Sequence, residues 1–453
     1  MQEIYEKPGP VPVVHDCEVC VVGGSCTGVF AALRAARLGA RVALIENNGF
    51  LGGVATAGLV NVWHSLNDTA EQRQIIGGLT AEVIERLEKR DAAIMDRSAP
   101  RSFNAFNSAE LVLELDEMVR EQPAIRPFLH ARFVKPIVED GRVTHAVIED
   151  KSGRRAVRAA CFVDATGDGD LIARMGLPFT RREDLQPPTT CVVLRGLDAI
   201  ARRNPGFKLS DAVYDARYPN ALAKGFLWSA PVPGAPGLRM VAGTRVSGAD
   251  CSDADVLTRA EMEGRRQVRA IRDIVHDRFE GGGEVAVVSL PSYIGIREAR
   301  HATCLHRLTG AEVLEGVRFP DAIANGSYRV DIHHSGRPGL TMRYLDGAEE
   351  YIVPGEPTVR TRWRDERDED PTFYQIPYRS LVPEGALNVL VAGRLIDADP
   401  VAYGAVRVMV NCNQTGEAAG VASVLAVDRK VEVAHVDARN LRAELEGQGS
   451  IIV

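Results

Sequence analysis

The chain's 453 residues, 45% hydrophobic and 25% charged, have the make-up of a globular enzyme with a sizeable core in roughly two or three domains, which excludes extensive disorder and fibrous repeats. A formal net charge of −7 argues against a nucleic-acid partner, and no run reaches the ~18 apolar residues that a membrane span needs. Eight cysteines scattered without framework spacing point to free thiols rather than disulfides.

The opening MQEIYEKPGPVPVVHD lacks the basic flank and apolar stretch of a secretory signal, so residues 1–16 are expected to form an arm on a cytoplasmic protein. Residues 17–46 read strand, Gly-rich turn, helix, strand, with Ala31, Ala32, Ala35 and Ala36 predicted to let the helix lie close on a sheet. Cys17 and Cys20 make a CxxC inside that first strand, where residues three apart face opposite sides, so buried filler is expected there rather than a redox pair. Amphipathic helices are predicted over 78–90 and 109–121, and strands over 133–138, 143–149 and 156–164. After Pro187 and Pro188 the texture changes to short strands with Pro-Gly loops and one long helix over about 253–279, for which Ser252 is the expected cap. The acidic DERDEDP at 365–371 reads as a solvated loop. Strands in FYQIPYRSLVP and NVLVAGR then lead into a final helix with Gly404 near its start. The division that follows is 17–190 and 371–430 as two parts of one nucleotide-binding domain, 191–370 as an inserted α+β substrate domain, and 431–453 as a tail.

Gly23, Ser25 and Gly28 occupy the three glycine positions of GxGxxG, between a strand and a helix, and Glu46 ends the second strand 18 residues later. In such a loop, here Gly23, Gly24, Ser25, Cys26, Thr27 and Gly28, the first glycine makes the turn, the second position admits a pyrophosphate at the helix N-terminus, and the third lets helix pack on strand. Glu46 is placed to accept from ribose hydroxyls. Ser25 departs from the usual glycine and narrows the phosphate approach, while offering a hydroxyl. The loop alone fits NAD and FAD equally.

Three later segments separate the two: Gly52 and Gly53 in GFLGGVATAG, with Thr56 just beyond; Ala165, Thr166, Gly167 and Asp168 in CFVDATGDGD; and Gly393, Arg394 and Asp397 in NVLVAGRLIDAD, followed by GEAAG. In this order they resemble the FAD-dependent oxidoreductase family with a glutathione-reductase-like nucleotide domain, nearer the fumarate reductase class than the disulfide reductases. RQIIGGLTAEVIERL, IGIREAR and YQIPYRSLVP also resemble a poorly characterised branch of it. The resemblance implies a Rossmann-like three-layer α/β fold with a central parallel sheet, FAD as cofactor held by those segments, and a last helix whose N-terminus points at the flavin. Only one GxGxxG is present, so no built-in NAD(P)H domain is expected, and electrons pass to or from a substrate, oxygen or a partner.

The expected activity is hydride or electron transfer between FAD and a small organic substrate held between the two domains, with the oligomeric state left open. A flavin monooxygenase or halogenase is the alternative, although no WxWxIP segment is present; a protein using the dinucleotide structurally, or consuming it as thiazole synthases do, is the other. Candidate substrate groups are His64 in NVWHSLND, as acid, base or flavin tether; Arg297 in IGIREARH and Arg379 in IPYRSLVP, as carboxylate clamps; and Asp331 with His333 in VDIHH, as a proton relay. Arg407, near the start of the final helix, is a candidate contact to flavin or substrate. His301, Cys304 and His306 lack the HExxH or paired CxxC that would support a metal, and none is expected.

Overall fold

Strand Val13–Val22 forms where β-branched residues run beneath the Gly-rich turn, and it becomes the spine of a seven-stranded sheet. The computed structural model describes residues 3–4, 9–95 and 103–453; positions 1, 2 and 5–8 of the expected N-terminal arm lie outside the described residues. Val13–Val22 pairs in parallel with Val42–Ile45, which pairs in parallel with Ile125–Phe128. On its other side it pairs in parallel with the long strand Gly153–Asp164. The first half of that strand continues antiparallel into Arg142–Asp150 and Arg132–Glu139, and its second half pairs in parallel with Val389–Val391. The parallel strands are covered on both faces, so Val42–Ile45 and Val389–Val391 are wholly apolar and buried rather than alternating. Cys17 and Cys20 are buried and free, and the Cys17 thiol is taken up by the carbonyls of Val19 and Arg158.

The first helix, Cys26–Arg37, is buried along nearly its whole length. Its small residues serve a helix contact more than the sheet contact expected of them. A Cβ on Gly416 of the helix Met409–Arg429 would stand 2.1 Å from the Thr27 carbonyl oxygen, and one on Gly420 would stand 2.2 Å from that of Ala31. Only glycine allows this approach. Between those glycines, Glu417 takes the Arg34 guanidinium in an ion pair whose side chains are 1% and 2% exposed, and the same carboxylate accepts from the Leu79 amide.

The predicted helices are found at Gly78–Glu88 and Ser108–Arg120. Residues 192–289 build a four-stranded antiparallel sheet, in the order Trp228–Pro231, Leu238–Ala242, Val192–Arg195, Ala286–Ser289. It is backed by helix Ala254–Arg278 through Val268, Ile271 and Val275. That helix is capped by Asp253, whose carboxylate accepts from the Asp255 and Val256 amides; Ser252, the expected cap, instead donates to Asp250. A second antiparallel sheet runs Val330–His333, Leu340–Arg343, Ala348–Ile352, Val359–Arg362. The segment read as one final helix is two, Pro400–Val406 and Met409–Arg429, broken at Arg407–Val408. The break follows from competition for the chain: Asp399 caps a short first helix, and extended Val408 starts the second.

The Arg34–Glu417 pair yields a prediction. Removing one partner leaves a charge buried without compensation, so Glu417→Ala is expected to lower the unfolding free energy by about 3–5 kcal/mol in urea titration. The exposed pair Arg120–Glu117 (76% and 50%) serves as control, and Glu117→Ala is expected to cost under about 1 kcal/mol.

Candidate active site

Four turns meet at the carboxyl ends of the parallel strands. Gly23 has φ +106°, a conformation that side chains rarely adopt, and a Cβ on Gly28 would stand 1.8 Å from the Gly23 carbonyl oxygen, so turn and helix can close only with glycine at both positions. Ser25 caps the first helix, its Oγ accepting from the Gly28 amide, and it bridges in parallel to Gly52. The cradle is thus continuous from the first loop to the Gly52–Gly53 turn. Glu46 accepts from the Gly24 amide at 2.7 Å and from Asn48. Cys26 points its thiol at the Gly52 carbonyl, and burial pushes that thiol up to about 12, which makes it packing rather than a nucleophile. Thr27 lies beside Gly393, and the Thr56 hydroxyl is used within the Gly52 turn, donating to Leu51.

Across the groove Ala165 backs onto Gly23, and Thr166 is tied to buried Asp164. Arg394 lies over Gly167 and pairs with Asp168 at 2.5 Å. Its Nη1 is buried with no hydrogen-bond partner. A groove walled by glycine backbones, opening on a helix N-terminus, with the Glu46 carboxylate beside it and an orphaned guanidinium donor on Arg394, fits a dinucleotide.

The groove adjoins a cavity of about 360 Å³, to which Val54 and Arg394 contribute walls. Its lining is drawn from residues between 54 and 64, from 103, from residues between 189 and 342, and from residues between 394 and 409. Val60, Val62, Phe103, Phe226, Trp228 and Met342 make much of it apolar. Arg297, Arg329, Arg394 and Arg407 also line it, against a single carboxylate among the described lining residues, Asp331. Arg297 is fixed by donation to the Pro187 carbonyl and the Thr189 hydroxyl. Burial, then the neighbouring charges of Arg407 and Arg245, push its guanidinium down to about 9. It stays charged at neutral pH, in surroundings that disfavour its charge.

Asp331 sits at the centre of the polar wall. Tyr328 donates to its Oδ2 at 3.0 Å, Arg407 approaches within 3.5 Å, and His333 Nε2 lies 3.3 Å from Oδ1. Burial pushes this carboxyl up, but the neighbouring His333 ring, with its N–H turned to the carboxylate, and the charges of Arg407 and Arg329 outweigh it and hold Asp331 well below the usual carboxylate range. His333 goes the other way: burial, with Arg297 and Arg245 opposing a further positive charge, brings it down to about 3 despite Asp331. With the ring neutral and Arg245 donating to Nδ1 at 2.6 Å, its proton rests on Nε2, facing Asp331. This N–H and the arginine charges therefore account for the low Asp331 value. His64 stacks on Tyr328, ring centroids 3.9 Å apart, and burial, then the Arg329 charge, lowers it to about 3.

Of the residues expected to handle substrate, His64, Arg297, Asp331, His333 and Arg407 come together here. Arg379 lies elsewhere, 48% exposed and paired with Asp321 at 3.0 Å. Asp397 is turned from the groove, its carboxylate accepting from the Cys304 amide beside Arg307. His301 and His306 are bound to Glu298 and Glu312, and among the described residues no group of three or more His, Cys, Asp or Glu side chains gathers to hold a metal. Sequence reasoning does not single out Tyr328, Arg329 or Arg245. The first two are within its reach, since they immediately precede the VDIH strand; nothing local marks Arg245.

No helix among the described residues is long and apolar enough to cross a membrane. A family profile described as FAD dependent oxidoreductase matches residues 18–445. A search of curated proteins finds no match. Among solved structures, the chain is similar to a geranylgeranyl bacteriochlorophyll reductase-like protein from Thermoplasma acidophilum, at 11% identity over 96% of this chain and 84% of that one, with a TM-score of 0.49. It is also similar to PqsL, a probable FAD-dependent monooxygenase from Pseudomonas aeruginosa, at 14% identity over 96% and 91%, TM-score 0.43. A third is the p-nitrophenol 4-monooxygenase PnpA from Pseudomonas putida DLL-E4, at 15% identity over 65% and 70%, TM-score 0.39.

The His64 environment gives a pH prediction. Its folded-state value of about 3 lies below its unfolded value of 6.5, so its contribution to stability is fully present above 6.5 and is lost as pH falls toward 3. Between pH 6.5 and 4.5 wild type should lose roughly 2 kcal/mol more than His64→Gln in urea titrations, since a proton bound only by the unfolded chain changes stability by about 1.36 kcal/mol for each step of one in pH.

Proposed function

Because the chain belongs to the FAD dependent oxidoreductase family, we propose that this enzyme transfers hydride or electrons between FAD and a small organic substrate that carries a carboxylate or similar delocalised anion on an apolar body. The carrying observation is the charge imbalance of the cavity: with Arg394 taken by Asp168, Arg297, Arg329 and Arg407 line it against the single lining carboxylate Asp331, and Arg297 is depressed by burial and by its cationic neighbours. A bound anion would relieve that imbalance, and planar guanidinium donors match a carboxylate's two oxygens. The aromatic and aliphatic wall around Phe226 and Trp228 would take the rest of the molecule.

In this reading the cofactor is held by Gly23, Gly24, Ser25, Cys26, Thr27 and Gly28, by Glu46, by Gly52 and Gly53, by the Ala165–Asp168 turn and by Gly393 and Arg394. FAD supplies the electron pair or accepts it. Arg297 and Arg407 orient the substrate anion. Tyr328, kept protonated first by burial and then by the Asp331 charge, holds a proton at its hydroxyl, and Asp331 orients that hydroxyl. His333 and Arg245 back Asp331 from behind. The apolar wall keeps water from the reacting atoms.

The test is to reconstitute the purified protein with FAD and follow flavin bleaching anaerobically with paired carboxylates and their amides. Carboxylates should bleach the oxidised flavin or reoxidise the dithionite-reduced flavin, and their amides should do neither; equal response to both members of every pair would sink the anion reading. Arg297→Met should raise KM for an accepted carboxylate by roughly 10–100-fold, the value of one charged hydrogen bond, with a smaller effect on kcat.

A further inference from the structure

Tyr293 belongs to the segment PSYIGIREAR, well outside the dinucleotide fingerprint in sequence, yet it stands in the groove. Its hydroxyl lies 3.5 Å from where a Cβ on Gly53 would be, against the turn that bridges to Ser25. Among the described residues nothing hydrogen-bonds it, although burial and the nearby charges of Glu46, Arg394 and Asp168 all act on it. The Arg394 guanidinium, whose Nη1 is buried without a partner, lies near enough to act on the same hydroxyl.

The position of Tyr293 is set from both sides. The Ser292 amide donates to the Ala57 carbonyl at 2.7 Å, which ties the segment to the loop after Gly52–Gly53. The Ile294 amide donates to Glu261 on the long helix at 2.6 Å, and Gly295 exchanges backbone bonds with Thr189. Four residues beyond Tyr293 the same segment presents Arg297 to the cavity.

We propose that Tyr293 donates its hydroxyl to the diphosphate of bound FAD, so that the cofactor bridges the nucleotide loops and the segment that carries Arg297. The location selects the diphosphate over the two ends of the cofactor. The Glu46 carboxylate and the Asp168–Arg394 pair beside the cavity both lie near enough to act on the hydroxyl through their charges, and neither hydrogen-bonds it. The first-helix N-terminus and the Gly52–Gly53 backbone, the anion-binding parts of the groove, are its immediate surroundings. A phenol here adds a donor where the serine in the fingerprint already narrows the backbone approach. The inference rests on FAD occupying the groove.

The test uses the full-length protein stripped of flavin, titrated calorimetrically with FAD, ADP and adenosine as wild type and as Tyr293→Phe. Loss of one donor to a charged acceptor should weaken both FAD and ADP by about tenfold and leave adenosine within about twofold. In hydrogen exchange, FAD should slow the amides of residues 292–297 in wild type and slow them less in Tyr293→Phe. Equal affinity of the two proteins for FAD and ADP overturns the proposal, as does an equal loss for all three ligands, which would place the hydroxyl on the nucleoside or on the fold. A wild type that binds FAD but not ADP overturns the diphosphate assignment. A wild type that binds none of the three overturns the cofactor reading, and this proposal with it.

Discussion

Burying an arginine and a glutamate together is tolerable only when each satisfies the other, and Arg34 with Glu417 is the pair around which this chain closes. The first helix can lie on the last long helix because Gly416 and Gly420 admit the Thr27 and Ala31 carbonyls, and the ion pair between them fixes the rotation of one helix about the other. An apolar pair would tolerate a slide of one helix along the other. A desolvated charge pair that also accepts the Leu79 amide does not, because any displacement exposes the cost of an unpaired charge in a low-dielectric interior. The dinucleotide loop precedes the first helix, so its position is inherited from this contact.

The cavity applies the same electrostatics in reverse. Where Arg34 is compensated, the lining guanidiniums are not fully compensated, and the protein keeps them in place by engaging their neighbours elsewhere. Arg297 is held by Pro187 and Thr189, and Glu298 beside it is occupied by Arg182, His301 and the Gln186 amide. Arg300, three residues further along, donates to the Asp168 carbonyl of the groove. One short stretch, IREARH, therefore faces the cavity, the interior and the nucleotide turn in succession. Unrelieved positive charge in a partly dry site is costly, and that cost is what the proposed anionic substrate would relieve.

Most strands of the seven-stranded sheet, the first βαβ unit and the glycine cradle are legible in the sequence, because turn chemistry and periodicity are local; Ile125–Phe128, too short to show a period, is not. Gly23, Gly28 and the Gly52–Gly53 pair can be read at sight, each being required by backbone geometry that no distant contact alters. The failures share a cause. Arg379 and Arg297 look alike in sequence, each an arginine just after an apolar stretch; Asp321, 58 residues away, claims Arg379, while other arginines crowd Arg297. Asp397 has the sequence context of a cofactor ligand, but the Cys304 amide, remote in the chain, claims its carboxylate. Tyr293 and Arg245 reach the site only through tertiary packing. The helix break at Arg407–Val408 is hidden because both flanks are helical in pattern, and the decision lies with Asp399 capping.

That break has a geometric consequence. The last helix begins at the cavity wall with Met409, and carries Glu417 about two turns later. At about 1.5 Å and 100° per residue it works as a fixed gauge between the charge pair and the cavity chamber. A single inserted residue between 409 and 416 would turn the chamber end by over a quarter of a revolution relative to the anchored end. A surface loop can absorb an added residue in its own slack, whereas a helix held at both ends passes the rotation on to what it carries.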